Sequence, residues 1–149
     1  MEIKRINPAE SALVISLFDQ YRQFYKQPSD IGVAERFINE RLGKNESVIF
    51  VALDNNEPVG FTQLYPKYSS VRVSKNWILN DLYVDNNYRK QGIGEALIRA
   101  AMEFAKNEGA TFVQLETAVN NYTAQSLYEA IGFEKQGPDT EFLLYKMTV

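Results

Sequence analysis

The segment from Trp77 to Thr117 constrains the fold more than any other part of the sequence. It begins with WILNDLYV and ends with TFVQLET, and both pieces are rich in the β-branched and aromatic residues that are typical of strands. Between them, apolar residues recur at helical spacing from Ile93 to Glu108, which predicts an amphipathic helix. A strand–helix–strand unit of this kind predicts two parallel strands joined by a right-handed crossover.

The flanking segments predict further strands and helices. EIKRI predicts a first strand, PAESALVISLFDQYRQF and IGVAERFINERL predict two helices, and SVIFVAL and VGFTQLYP, separated by DNNEP, predict a hairpin. TAQSLYEAI predicts a short helix that ends at Gly132, and EFLLYKMT predicts a last strand. The predicted order is therefore β–α–α–β–β–β–α–β–α–β. We expect an α/β (α+β) protein with a mixed sheet, helices on its faces and a single domain over residues 1–149.

Composition narrows the chemistry that the chain can perform. Its 149 residues include no cysteine and no histidine, which excludes a disulfide framework, a thiolate metal site and a histidine base. Acid–base chemistry therefore falls to Asp, Glu, Tyr, Lys or a water molecule. The net charge of -3 gives no basic footprint for nucleic acid. Since the N-terminus lacks a secretory apolar core and no apolar run approaches the ~20 residues of a membrane span, we expect a cytoplasmic protein without a metal or a membrane partner.

Gly92 and Gly94 stand where the long helix is predicted to begin, although glycine is a poor helix former. A helix N-terminus has free N–H groups and a partial positive charge, so it binds anions. Glycines keep these amides accessible, and Arg89 and Lys90 add positive charge. The pattern predicts a bound phosphate or pyrophosphate. A mononucleotide site and an ordinary strand-to-helix turn are alternatives, whereas a dinucleotide fingerprint requires a third glycine where Leu97 stands.

Two motifs carry a resemblance to a known family. The stretch RKQGIG, Arg89 to Gly94, resembles the GNAT family motif of N-acetyltransferases: Arg or Gln, two variable residues, Gly, one variable residue, then Gly or Ala. The stretch NNYTAQSLYEAIGF is similar to a second GNAT motif, and the matching residues are Asn121, Ala124, Leu127, Tyr128, Gly132 and Phe133. The resemblance runs from about Val48 to the end of the chain. It implies a GNAT-like fold in which two central strands splay apart.

The resemblance also implies a cofactor, an acceptor and an assembly. The implied co-substrate is acetyl-CoA. The implied acceptor is a primary amine of a polyamine-like or amino-acid-like small molecule or of a peptide. This amine attacks acetyl-CoA directly in a ternary complex. The assembly is a homodimer. Pantetheine contacts are implied for main-chain groups of Leu82, Tyr83 and Val84. The remaining cofactor contacts are implied for Arg89, Lys90, Gln91, Gly92, Ile93 and Gly94 at the pyrophosphate, and for Asn121 as a polar contact.

Tyr128 occupies the position at which the family commonly has its general acid. A phenol, with a pKa of about 10, is close in acidity to a thiol, so proton transfer to the departing CoA thiolate is nearly balanced. The alternative is that the ring of Tyr128 only packs beside Leu127 and Phe133.

The sequence offers several candidates for the general base. Family members often carry a glutamate on the fourth strand, on the face that meets the amine, whereas the matching positions here are Ile78 and Asn80. Asp81 is adjacent, but strand alternation points it to the other face unless a bulge intervenes. A water molecule held by Asn80, Asp81 itself and Glu116 are therefore all candidates. The missing carboxylate also leaves open a non-catalytic acyl-CoA-binding module of the same fold.

Overall fold

The computed structural model describes all 149 residues, Met1–Val149. Five strands form one sheet in the order β1-β2-β3-β4-β5, and they span β1 (Glu2–Arg5), β2 (Val48–Asp54), β3 (Glu57–Ser69), β4 (Ser74–Val84) and β5 (Val113–Gln114). The four helices are α1 (Ala12–Phe24), α2 (Ile31–Gly43), α3 (Ile93–Asn107) and α4 (Tyr122–Ile131). None of the helices combines the length and the apolar character that crossing a bilayer requires. The mixed α/β class is confirmed.

The chain divides into two compact units, Met1–Glu116 and Thr117–Val149. In the first unit, β1 to β4 pair antiparallel and β5 is parallel to β4. The turn between β2 and β3 has positive φ at Asn55 and Asn56, which is the backbone that a tight hairpin requires. The predicted hairpin and the parallel crossover through α3 are therefore present.

The two faces of the sheet carry different helices. On one face, the ring of Phe18 from α1 packs edge-on against Phe61 of β3, with the ring centroids 6.2 Å apart. On the other face, Phe104 of α3 packs against Trp77 of β4, with the centroids 5.1 Å apart. Side chains that alternate along β3 and β4 therefore face either the α1 side or the α3 side.

Gly60 allows α3 to approach the sheet closely. A Cβ atom on Gly60 would lie 3.0 Å from the carbonyl oxygen of Tyr83 and 3.3 Å from side-chain carbons of Ile93 and Leu97. Contacts this short require neighbouring atoms to move, so any larger residue would push the first turns of α3 away from β3. This glycine therefore helps to place the N-terminus of α3 beside the end of β4.

The second unit is built around α4. The side chain of Asn121 accepts a hydrogen bond from Ala124 N at 3.1 Å and so caps the start of the helix. The helix ends at Gly132, whose φ of +124 lies where residues with side chains are strained. The ring of Tyr128 packs edge-on against Phe133, with centroids 6.1 Å apart.

The prediction of a last strand over EFLLYKMT is wrong, and β5 is shorter than TFVQLET. The carboxylate of Asp139 accepts hydrogen bonds from Glu141 N at 2.9 Å and from Phe142 N at 3.0 Å. These amides are therefore engaged in a local turn rather than in a ladder. The run FLLY is apolar without alternation, and strand propensity by itself does not provide a partner strand.

Candidate active site

The strands β4 and β5 are paired at one end only. Two residue pairs join them, Trp77–Val113 and Ile78–Gln114. β5 stops there, whereas β4 continues to Val84 alongside β3. Leu82, Tyr83 and Val84 therefore lie on a stretch of β4 that has no ladder with β5, which is the predicted separation of central strands. Such an edge offers N–H and C=O groups to an extended chain of amides.

The N-terminus of α3 presents uncovered backbone amides. Gly92 is the N-cap residue with φ +79, and no side chain caps the helix. Nothing lies within 4 Å of the position that a Cβ on Gly92 would occupy. Lys90 also has positive φ, at +63, so the chain turns sharply between β4 and α3 with Gln91 exposed. The geometry is that of an anion site formed by main chain, as the glycine pattern predicts.

Arg89 connects this turn to the end of β4. Its Nε donates a hydrogen bond to the carbonyl oxygen of Val84 at 3.0 Å, and its guanidinium carbon lies 5.5 Å from the centroid of the Tyr83 ring. The five ion pairs of the chain involve other residues, so the Nη groups of Arg89 face no carboxylate within 4.0 Å. These groups are available for a phosphate, while the Val84 carbonyl already has one donor.

A β-bulge interrupts the pairing of β3 with β4. Gln63 pairs with Asp81, but the next residue of β3, Leu64, pairs with Leu79. Asn80 is therefore the extra residue of the bulge, and its side chain is exposed. The bulge shifts the alternation of the strand by one residue at Asn80, and Nδ2 of Asn80 donates a hydrogen bond to Oδ1 of Asp81 at 2.7 Å. The role of Asn80 in holding a water molecule stays a prediction.

The bulge places Asp81 on the same face as Ile78. Tyr65 pairs with Ile78 and Gln63 pairs with Asp81, and residues two apart on β3 share a face. This is the α1 side, since Phe61, two residues before Gln63, packs on α1. A carboxylate thus occupies the face on which the family resemblance implies one. The argument for a non-catalytic module, which was the lack of a strand carboxylate on that face, therefore no longer applies.

Asp81 is buried and hydrogen-bonded through both carboxylate oxygens. Its exposed fraction is 2%. Oδ2 accepts from Nε2 of Gln63 at 2.5 Å, and Oδ1 accepts from Nδ2 of Asn80 at 2.7 Å. Burial raises the pKa of Asp81, while hydrogen bonds from Asn80, Gln63 and Tyr21 oppose the rise. The net effect is a carboxyl group that is more basic than an ordinary aspartate.

Two tyrosines surround this carboxylate as neutral hydroxyl groups. Burial and the negative charge of Asp81 raise the pKa of Tyr21 and of Tyr65. The hydroxyl of Tyr21 donates to the main-chain carbonyl oxygen of Asn80 at 3.2 Å, and the carboxylate of Asp81 is a second acceptor for the same proton. Both phenols therefore remain protonated at neutral pH.

The other predicted residues follow β5 in the chain. Glu116 is exposed and follows the end of β5 by two residues. Asn121 and Tyr128 belong to the second unit, where Asn121 caps α4 and Tyr128 is half-buried on it.

Sequence reasoning missed Gln63, which positions Asp81 together with Tyr21. The available signal was a polar residue within the otherwise apolar strand segment VGFTQLYP, and Gln63 is indeed fully buried.

Comparison with known proteins decides the family. The model of the Acetyltransferase (GNAT) family matches residues 14–133. The chain belongs to the GNAT family. This GNAT protein is 44% identical over 149 residues to an uncharacterized N-acetyltransferase, YhfO, of Bacillus subtilis (strain 168), with coverage of 100% of this chain and 98% of that one. The family domain and such relatives identify it as an acetyltransferase.

Solved structures agree with this assignment. A crystal structure of a probable acetyltransferase superposes on the GNAT chain with a TM-score of 0.88 at 36% identity, covering 100% of this chain and 98% of that one. The aminoglycoside N-acetyltransferase AAC(6')-Iy in complex with CoA superposes with a TM-score of 0.81 and covers 98% and 93% of the two chains. Its identity of 19% shows a shared fold alone.

Proposed function

We propose that this acetyltransferase transfers the acetyl group of acetyl-CoA to a primary amine by direct attack in a ternary complex, with Asp81 as the general base. The observation that carries the proposal is the bulge of β4, which points a buried carboxylate to the α1 face next to the strand stretch that lacks a β5 partner. The proposal covers small-molecule amines and the amino group of a peptide.

The cofactor side of the proposal uses main-chain groups. The amides at Gly92, Ile93 and Gly94 bind the diphosphate of CoA, with Arg89, Lys90 and Gln91 on the preceding turn. Leu82, Tyr83 and Val84 bind the pantetheine amides along the free edge of β4. Acetyl-CoA is the acetyl donor of the GNAT family, and a fold neighbour has been crystallised with CoA, which supports this assignment.

The amine side of the proposal uses the buried cluster. An ammonium group cannot attack, so it first gives a proton to Asp81, whose raised pKa suits it to accept one. Oε1 of Gln63 is buried without a hydrogen-bond partner, because Nε2 of the same amide faces the carboxylate. This oxygen is an acceptor for an N–H of the amine, and Asn80 holds the carboxylate in place from the other side.

The reaction then proceeds by acyl transfer. The nitrogen lone pair attacks the thioester carbonyl carbon, the C–S bond breaks, and the thiolate takes a proton. The acylated nitrogen then loses its surplus proton, which restores the acid through solvent, and Asp81 releases its own proton to solvent. We assign the proton that the thiolate takes to the hydroxyl of Tyr128 and a polar cofactor contact to Asn121, because both occupy matching positions of the second GNAT motif.

Release of CoA thiol with an amine panel tests the proposal. Asp81→Asn is expected to lower kcat/KM by about 100-fold or more, as for the loss of a general base. Its affinity for CoA, measured by calorimetry, remains that of the wild type. Tyr128→Phe lowers kcat and leaves CoA affinity unchanged. Glu103→Gln, at an exposed position of α3, serves as the matched control. CoA binding without thiol release on any amine contradicts the proposal and favours a binding module.

The homodimer implied by the resemblance is part of the same proposal. The exposed apolar residues Phe142, Leu143, Leu144 and Tyr145 support it. Light scattering coupled to size exclusion tests it, since a dimer has twice the chain mass of 17.1 kDa.

A further inference from the structure

We infer that the acceptor is a monoamine that carries an aromatic group, bound with its ring against Phe24 and Tyr25 and its amine at Asp81. The inference rests on the proposed function and names the substrate class of that site. It depends on a continuous series of aromatic rings that links solvent to the buried carboxylate, here called the ring series: Phe37, Phe18, Tyr21, Tyr25 and Phe24.

Each ring of the series contacts the next. Tyr21 lies at its centre, with its ring centroid 6.3 Å from that of Phe18 and 5.1 Å from that of Tyr25. Phe24 extends the series from Tyr25 at 5.2 Å, edge to face. The hydroxyl of Tyr21 reaches the Asn80 carbonyl at 3.2 Å, beside the Asp81 carboxylate. The centre of the series therefore lies beside the group that we propose accepts the proton.

The two outer ends of the series differ in what covers them. At one end, the guanidinium carbon of Arg41 lies 4.6 Å from the Phe37 ring centroid, and Arg41 is itself paired with Glu40 and Glu46. At the other end, Phe24 and Tyr25 are 56% and 50% exposed, and none of the cation–ring contacts of the chain involves them. The second end is thus an open aromatic surface that leads to a carboxylate.

The charge of the site favours one amine over several. A polyamine needs a second anion, and the other buried carboxylate near α1, Asp19, is already engaged. Asp19 accepts hydrogen bonds from Ser29 Oγ at 2.6 Å, from Asp30 N at 2.8 Å and from Gln23 Nε2 at 3.1 Å. Of the two buried carboxylates, Asp81 is therefore the one that remains for a substrate cation, and the exposed rings of Phe24 and Tyr25 end the ring series that leads to it. An arylalkylamine complements both features, because rings pair edge to face and a cation pairs with a carboxylate.

Matched amines test the inference through thiol release. We compare 2-phenylethylamine with ethylamine, which lacks only the ring, and with spermidine, which carries several amines. The wild type is expected to favour 2-phenylethylamine over ethylamine in kcat/KM by about tenfold or more, since burying a ring against rings adds both area and aromatic contacts. The preference is expected mainly in KM. Tyr25→Ala and Phe24→Ala each lower this ratio severalfold, whereas Tyr25→Phe restores it. Tyr68→Ala, at a tyrosine that is 70% exposed, leaves the ratio unchanged.

The outcomes separate this inference from the proposed function. The inference is overturned if ethylamine or spermidine is turned over as efficiently as 2-phenylethylamine. It is also overturned if Tyr25→Ala and Phe24→Ala both keep the wild-type ratio. Either result leaves the acetyltransferase assignment intact. Thiol release on no amine, with CoA still bound, overturns the proposed function and this inference together. Circular dichroism of each variant confirms that a change in ratio arises in a folded protein.

Discussion

Gln63 on β3 donates a hydrogen bond of 2.5 Å to the carboxylate of Asp81, its pairing partner on β4. Gln63 is fully buried and Asp81 is 2% exposed, so water cannot replace this donor. The pair sits at the edge of the bulge, where Leu64 shifts its partner to Leu79. The register of β3 against β4 therefore determines both the face on which Asp81 lies and the donor that stabilises its charge.

Replacing Gln63 with leucine is expected to make Asp81 harder to ionise. A hydrogen bond to a charged group contributes about 1.5–3 kcal/mol, and 1.36 kcal/mol corresponds to one pKa unit. In Gln63→Leu, the acidic limb of the pH profile of kcat/KM should therefore move to higher pH by about one unit or more. Gln136→Leu, at an exposed glutamine, is the control. An acidic limb at the wild-type pH in Gln63→Leu would show that Asp81 does not govern it.

Asp81→Asn is expected to change stability in a pH-dependent way. The pKa of Asp81 is raised by burial above its ordinary value of 3.8, so the folded state holds its proton to higher pH than the unfolded state. This contribution to stability is complete below the unfolded pKa and is lost as pH rises through the folded pKa. The asparagine variant carries no such loss. Urea unfolding should therefore show that Asp81→Asn gains stability relative to the wild type from about pH 4 upward.

The pH dependence of the difference in unfolding free energy between Asp81→Asn and the wild type tests whether the folded pKa of Asp81 is raised. A difference in unfolding free energy that stays constant between about pH 4 and pH 7, or one that turns against Asp81→Asn, means that the folded pKa of Asp81 is not raised.

The parts that were predictable from sequence depend on local patterns. The hairpin at Asn55 and Asn56, the crossover through α3 and the glycine turn at Gly92 each follow from residues close together in the chain. The bulge at Asn80 depends on how β3 pairs with β4, which alternation within one strand does not reveal. The predicted last strand over EFLLYKMT is absent for a related reason. The strand propensity of FLLY is a local property, whereas a β-ladder requires a partner strand from elsewhere in the chain.

Gly92→Asn tests the anion site without disturbing the fold. Asparagine tolerates positive φ better than other residues with side chains, and nothing lies within 4 Å of the added Cβ. Unfolding free energy should change by less than about 1 kcal/mol, while affinity for CoA falls about tenfold because the new side chain stands before the helix amides. Gly109→Asn is a matched control, since Gly109 has φ +84 and equally open surroundings at the other end of α3. Equal CoA affinity in the two variants would show that Gly92 is not part of the CoA-binding site.

Asn76 is expected to control CoA affinity from a distance, because it anchors the start of β5. Its buried Oδ1 accepts hydrogen bonds from Thr111 N at 2.8 Å, Thr111 Oγ1 at 3.1 Å and Phe112 N at 3.3 Å. The two residue pairs between β4 and β5 follow directly, at Trp77 and Ile78. Asn76 therefore anchors the paired end of the two strands, which separate after Ile78.

Asn76→Ala leaves two backbone donors without their acceptor, at a cost of about 1–3 kcal/mol in unfolding free energy. With β5 less firmly placed, affinity for CoA measured by calorimetry is expected to fall about tenfold, which corresponds to 1.4 kcal/mol. Asn76→Asp keeps an oxygen in the same position, so it should retain near wild-type affinity even where burial of the new carboxylate lowers stability. If Asn76→Ala loses stability while binding CoA as tightly as the wild type, the anchor supports the sheet but does not shape the opening between β4 and β5.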